Sequence, residues 1–419
     1  MNILLVNTAE SQGGAAIATS RLLHALRHEG VQATMLVRDR SSDSPHIHTI
    51  GGRWRGLWKK VWERFKIWRA NGFSRQNLWR ISTASTGFDI THHAAFQAAD
   101  VVHLHWVNQG MLSLDAIKKI VDTGKPIVWT LHDMWPLTGI CHHAYECERY
   151  QEACHECPFL RYPGPSDLST LVHAQKQEVY GQAQNLRAIA VSTWLAERAR
   201  RSALFINKDI RVIANALPVE DFQLLDAATC RKALGLAPEK KVLLFGAARI
   251  DDPIKGFAAL KQALQLWAAQ YPQQKEELHL LLFGDLKNPH MLEDLPVSHT
   301  HVGVVQGADR LSQLYSAATF TLSASHYETF GQTLAESLAC GCPVVAFDGS
   351  GTTDIVRHKE NGFLAQRLNA QHLCEGIAWI LEQEAGGGFD RDALRNDVVH
   401  RFSAQHIARQ HIALYQSLL

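Results

Sequence analysis

Residues 320–347 read FTLSASHYETFGQTLAESLACGCPVVAF. The stretch opens as a short, mostly apolar strand, FTLSAS, and breaks into the polar loop HYET. At GQTLAESLA it turns helical, and Gly341-Cys342-Pro343 ends that helix. The apolar run VVAF then starts a second strand. Strand, helix and strand in so few residues form one step of a parallel sheet, because parallel neighbours need a crossover and a helix is the usual one.

The same step repeats in both directions. In the second half, KVLLFGAARI, ELHLLLFGD, THVGVV, ATFTLSAS and CPVVAFDG are strand candidates with helical text between them. In the first half, NILLVN leads into the helical GGAAIATSRLLHALRHEG, and QATMLV, DVVHLHW, KPIVWTLHD, RAIAVS and IRVIANA follow. The runs are nearly all apolar, as in strands covered on both faces. Irregular text near 214–241 marks a junction. The expected class is α/β, with a doubly wound Rossmann-like domain over 1–216 and a second over 217–399. A C-terminal helix over 400–419 is expected to return to the first domain. Two such sheets direct their strand C-termini at a cleft where ligands bind.

Composition narrows the function. The 42 basic and 41 acidic residues cancel, so no global field points to nucleic acid. MNILLVN reads as a buried strand rather than a secretory leader, and no apolar run reaches the ~20 residues of a membrane span. A cytoplasmic location is expected, where most cysteines stay reduced.

Glu328 and Glu336 stand eight apart. Glu328 follows the strand, and Glu336 sits about two turns into the helix. A helix start offers N–H groups to phosphate, near Phe330, Gly331, Gln332 and Thr333. A carboxylate such as Glu336 can accept hydrogen bonds from a diol. Read alone, the two acids are equally a loop acid and a helix-surface acid.

The ordered motifs resemble family 4 of the retaining glycosyltransferases, which have the GT-B fold. Glu328, Glu336 and the run ACGCPVVA match that family's paired glutamates and A-x-G-x-P-V-V-A text. GAARIDDPIKGF supplies Arg249 and Lys255, with extra residues between them. SQGGAAIA matches a Gly-rich loop after the first strand, and TLHD a His-Asp at a strand end. The resemblance covers nearly the whole chain. It implies a nucleotide-diphosphate sugar as donor, UDP- or GDP-linked, and no metal for catalysis. Arg249 and Lys255 then stabilise the leaving diphosphate with backbone amides near 331–333. Glu336 holds the ribose, Glu328 orients the sugar, and His132 lies beneath it. Gly13 and Gly14 let the backbone approach the donor or acceptor, or serve only a tight turn. His103 and His105 share a strand face, as acceptor-side groups or buried structural ones. The chain departs from the family pattern at Asp354, where Glu is common, and at NALPVEDF around Asn215.

Two segments stand outside this core. Residues 53–69 read RWRGLWKKVWERFKIWR. Trp54, Trp58, Trp62, Phe65 and Trp68 fall on one helical face, among Arg53, Arg55, Lys59, Lys60, Arg64, Lys66 and Arg69. That describes a helix in a membrane interface, or one packed on a core with a solvated basic face. The second is the insert 136–165, with CHHAYECERYQEACHECP at its centre. Cys141, Cys147, Cys154 and Cys157 allow a structural zinc site, with His142, His143 or His155 as substitutes, or free thiols, or disulfides. Such an insert resembles that of colanic-acid and other exopolysaccharide transferases in the family. Cys340 and Cys342 read as packing residues.

The expected activity is sugar transfer to a glycan or polyprenyl-diphosphate-linked acceptor in bacterial surface polysaccharide synthesis, with peripheral membrane contact through 53–69. The rivals are a nucleotide-sugar epimerase of the same fold and a non-catalytic sugar-binding scaffold.

Overall fold

The repeated strand–helix step builds two all-parallel sheets. The computed structural model describes residues 1–419, apart from the side chain of Arg53. Met1–Ala216 with Ile407–Leu419 form one compact unit, and Leu217–His406 form the other.

The first unit holds β1 (Asn2–Ala9), β2 (Gln32–Asp39), β3 (Ile47–Thr49), β4 (Val101–Leu104), β5 (Ile127–Leu131), β6 (Leu186–Ala190) and β7 (Asp209–Val212). Their order is β3-β2-β1-β4-β5-β6-β7. The reversal between β1 and β4 places the ends of these two strands at the switch point of the sheet. Central β4 and β5 are buried along their whole length, which is why they lack alternation in sequence. Helix α1 (Gly14–His28) buries Ala16, Thr19, Leu22, Leu23 and Leu26 at helical spacing and ends before Gly30, whose φ of 80° suits only glycine.

The second unit holds β8 (Lys241–Arg249), β9 (Leu278–Asp285), β10 (Ser298–His301), β11 (Phe320–Ser323), β12 (Val344–Phe347) and β13 (Gly362–Ala365), in the order β10-β9-β8-β11-β12-β13. Phe245, Leu282, Leu322 and Phe347 of four strands pack with Leu264 and Trp267 of helix Phe257–Gln270 and Ile377 of helix Ala370–Ala385. Each such side chain contributes about 1.5–3 kcal/mol of burial free energy.

Two expectations change. The strand expected in THVGVV lies earlier, at Ser298–His301, with only its last two residues in that text. The sequence reading missed the edge strands β3 and β13. The helix expected over 400–419 is broken at Ser403, whose backbone is extended at φ −53° and ψ 143°. There Leu217 N–H donates to Phe402 O and Ala404 N–H to Leu217 O, both at 2.9 Å. That bridge keeps the chain in the second unit through His406, and helix Ala404–Gln416 carries it back to the first. Helix α2 (Arg53–Ala70) forms over the basic aromatic segment, and of the two readings of that segment its aromatic face is not the one packed on a core: Trp54 and Trp58 are 76% and 68% exposed.

Candidate active site

In the second unit two loops meet at the ends of neighbouring strands. The loop after β8 turns through Gly256 at φ 70°, where a Cβ would lie 1.8 Å from Ala324 O. Only glycine lets that loop close on the segment after β11, and His326 N–H then donates to Ile254 O at 2.8 Å. The closure brings Lys255 Nζ to 2.6 Å from Glu328 Oε1, with both side chains partly buried. Two residues far apart in sequence thus form one charged pair. Arg249 does not join it. Its Nε lies 3.1 Å from Asp251 Oδ1 and its Nη2 3.9 Å from Asp252 Oδ2, on a half-exposed side chain.

Helix Gln332–Ala339 starts at Gly331, whose φ of 104° excludes other residues, and no side chain caps it. Leu334 and Ala335 N–H both turn to Gly331 O, at 3.0 and 3.2 Å. The amides of Gln332 and Thr333 precede that turn. Glu336 is buried, and Tyr315 OH donates to its Oε2 at 3.1 Å. Phe330 is buried too, edge-on to Phe402 with ring centroids 5.5 Å apart. Sequence reading missed Tyr315, which carries no motif. It also missed Gly351: its N–H donates to Glu328 O at 2.8 Å, and a Cβ there would lie 2.2 Å from Thr329 O. Asp354 lies in the adjoining turn, and its carbonyl accepts from Arg401 Nη1 at 2.7 Å.

In the first unit His132 follows β5, and its Nε2 lies 2.9 Å from Nδ1 of His105, which follows β4. Behind them His103 bridges Thr130 Oγ1 at 2.7 Å and Tyr415 OH at 2.6 Å, so it is a buried structural residue. His411 stands beside it, with ring centroids 5.7 Å apart, and donates from Nδ1 to Ile407 O at 2.9 Å. Burial holds His103 and His105 well below the usual range. It brings His411 to about 4, and His132 to about 4 against the opposing pull of Asp133. The array is therefore neutral at pH 7. His105 Nε2 is buried with no partner. A bare acceptor costs less there than an orphaned N–H, so the His105 proton sits on Nδ1 and donates to His132. The His132 proton then sits on its Nδ1.

Gly13 caps α1 at φ 92°, with open space where a Cβ would stand; its backbone conformation alone calls for glycine. Gly14 begins the helix.

The cysteine insert buttresses the loop behind His132. Asp133 Oδ2 accepts from His142 Nδ1 at 2.6 Å and from Trp106 Nε1 at 2.7 Å. Burial raises the Asp133 pKa, but His142 and the Trp135 N–H outweigh it and hold the group at about 2. Ser82 Oγ lies 2.9 Å from His142 Nε2. His142 is thus committed to Asp133 rather than to a metal. Lys176, fully buried, donates to Trp135 O at 2.5 Å and Thr138 O at 2.9 Å. Cys141, Cys147, Cys154 and Cys157 line a small void of about 20 Å³ with Tyr150 and Phe159, and all are free thiols. Among the described residues no group of three or more His, Cys, Asp or Glu is arranged to hold a metal ion, so the four do not fit the expected zinc site. Burial pushes the Cys157 thiol up to about 12 and raises Cys141 and Cys154 as well, while Gly139 N–H donates to Cys154 Sγ at 3.1 Å. Desolvation keeps Cys141, Cys154 and Cys157 in the thiol form, against the Gly139 N–H, which favours the Cys154 thiolate.

Two Rossmann-like units, with paired acids at a loop-to-helix junction in the second, define a glycosyltransferase of the GT-B class. The description Glycosyltransferase Family 4 fits residues 12–221, and Glycosyl transferases group 1 fits residues 227–397. The chain belongs to Glycosyltransferase Family 4. D-inositol 3-phosphate glycosyltransferase of Jonesia denitrificans is 33% identical over 210 residues, a match that spans 48% of this chain and 47% of that protein. Sucrose-phosphate synthase of Thermosynechococcus elongatus has a similar fold (TM-score 0.67, 21% identity, 100% of this chain and 98% of that one). So does HepE of Anabaena, solved with UDP-glucose (TM-score 0.64, 18% identity, all of both chains). No helix among the described residues is long and apolar enough to cross a membrane.

Proposed function

We propose that the chain transfers a sugar from a UDP- or GDP-sugar, with retained anomeric configuration, to a glycan or polyprenyl-diphosphate-linked acceptor in bacterial surface polysaccharide assembly. The observation that carries this reading is the Lys255–Glu328 pair beside an uncapped helix start, with Glu336 held by Tyr315 in the second turn. A leaving diphosphate gains negative charge in the transition state. Lys255, the Arg249 guanidinium and the amides of Gly331, Gln332 and Thr333 are the groups in this unit suited to stabilise it. Glu336 accepts hydrogen bonds from the ribose diol, and Glu328 from sugar hydroxyls. On the first unit, neutral His132 serves the donor sugar, and the Gly13–Gly14 turn serves donor or acceptor. Catalysis of this kind asks for no metal. HepE, solved with UDP-glucose, supports the choice of a nucleotide sugar.

The acceptor has a second reading. The Jonesia relative is named for D-inositol 3-phosphate, so a small phosphorylated polyol is the alternative acceptor. Incubation with labelled nucleotide sugars and each acceptor class, followed by NMR of the product anomer, decides between them. Retained configuration and acceptor-dependent product support transfer. Product formed from the donor alone identifies an epimerase, and inversion overturns the proposal.

A further inference from the structure

Helix α2 is turned inside out. Its inward face carries Glu63 and Arg64, both buried. Glu63 Oε1 accepts from the N–H groups of Thr83 and Ala84 at 3.0 and 2.9 Å. Arg64 Nη1 donates to Ile81 O at 2.8 Å, and its Nη2 to Ser82 Oγ at 3.0 Å. Its outward face carries Trp54, Trp58, Trp62 and Phe65, which are 76%, 68%, 46% and 42% exposed. Burying charge while exposing a continuous aromatic stripe reverses the usual arrangement, and folding gains nothing from the outward face.

The charges on α2 indicate what covers that face. At 100° per residue, Arg55, Lys59 and Lys66 run along one edge of the stripe, and Arg69 falls within it. The only acid on the helix is the buried Glu63. Beside Trp58 and Trp62 opens a groove of about 420 Å³, lined also by Lys59, Lys66, Ser85 and Thr86. Thr86 Oγ1 donates to Lys59 O at 2.8 Å and so fixes the groove wall to the helix. Aromatic rings with cations beside them match the layered chemistry of an anionic bilayer surface, where Trp sits at headgroup level and Lys meets phosphate. A second copy docking through the same helix would set cation against cation, since its one acid, Glu63, is buried.

We propose that α2 docks the protein on an anionic phospholipid bilayer, with Trp58 and Trp62 in the interface and a lipid phosphate held in the groove between Lys59 and Lys66. The surface lies outside the donor residues and does not depend on the sugar transferred.

Vesicle flotation of the full chain tests this. The protein is expected to float with vesicles containing phosphatidylglycerol and to remain unbound with phosphatidylcholine alone. Trp58→Ala with Trp62→Ala is expected to reduce binding on the order of tenfold or more while leaving Tm unchanged, since both side chains are exposed. Lys59→Gln with Lys66→Gln is expected to cost on the order of tenfold on the anionic vesicles. Glu336→Ala is expected to float like the wild type, which separates docking from donor binding. Failure of the wild type to float, or a Trp double variant that floats as well as the wild type, overturns the proposal. So does a dimer dissolved by the Trp double variant in the absence of vesicle binding.

Discussion

Lys255 Nζ lies 2.6 Å from Glu328 Oε1, across a sequence gap closed by Gly256 and the His326–Ile254 hydrogen bond. The pair holds the Lys255 ammonium at the strand ends, and under the proposed function that cation is in place before the donor binds. Each residue also sets the position of the other. Lys255→Ala and Glu328→Gln are each expected to lower kcat by about 10²–10³-fold. The double variant is expected to lose much less than the product of the two, with a coupling of about 0.5–3 kcal/mol in steady-state kinetics. Simple additivity contradicts a shared role.

Tyr315 tests whether Glu336 binds as a positioned group. Tyr315→Phe removes one hydrogen bond to Glu336 Oε2 and leaves the carboxylate in place. Nucleotide affinity is expected to fall by about 0.5–1.5 kcal/mol, a few-fold to about tenfold in Kd by calorimetry. Glu336→Ala is expected to abolish measurable binding.

Gly351 is a backbone requirement of the same loop. Because a Cβ there would lie 2.2 Å from Thr329 O, Gly351→Ala has to displace the segment that carries Glu328. A loss of about tenfold or more in kcat/KM is expected, since small misplacements of positioning groups cost rate. Unchanged kinetics would show that this loop does not position Glu328.

The histidine array predicts a pH profile. His132 and His411 are each held down to about 4 by burial, against about 6.5 in an unfolded chain. Between these values the unfolded chain binds more protons, so stability falls as pH drops from about 6.5 to about 4 and is unaffected by these groups above that window. Denaturant unfolding at stepped pH is expected to show this decline. His411→Gln keeps a donor for Ile407 O, removes one titrating group, and is expected to flatten the slope.

The parallel sheets were legible because buried strands write themselves as apolar runs; the candidate donor residues came from a resemblance in ordered motifs, and the structure brings two of them, Lys255 and Glu328, together. Tertiary pairing was not legible. Tyr315 lies in an ordinary helix, and nothing local marks it as the partner of Glu336. His142 has the spacing of a metal ligand, yet a buried carboxylate nine residues earlier takes its ring nitrogen. Periodicity placed five aromatic residues on one face of α2, but period cannot say which face packs. Glu63, the lone acid, marks the inward side only once the Thr83 and Ala84 amides are seen around it.

The central claim is that the second unit binds a nucleotide sugar through Glu336 and its neighbours. Thermal shift against UDP-, GDP-, ADP- and dTDP-sugars, run in parallel on the wild type and Glu336→Ala, tests it most directly. The expected result is a rise in Tm with a UDP- or GDP-sugar that disappears in the variant. No rise with any donor, or a rise that survives Glu336→Ala, contradicts the account.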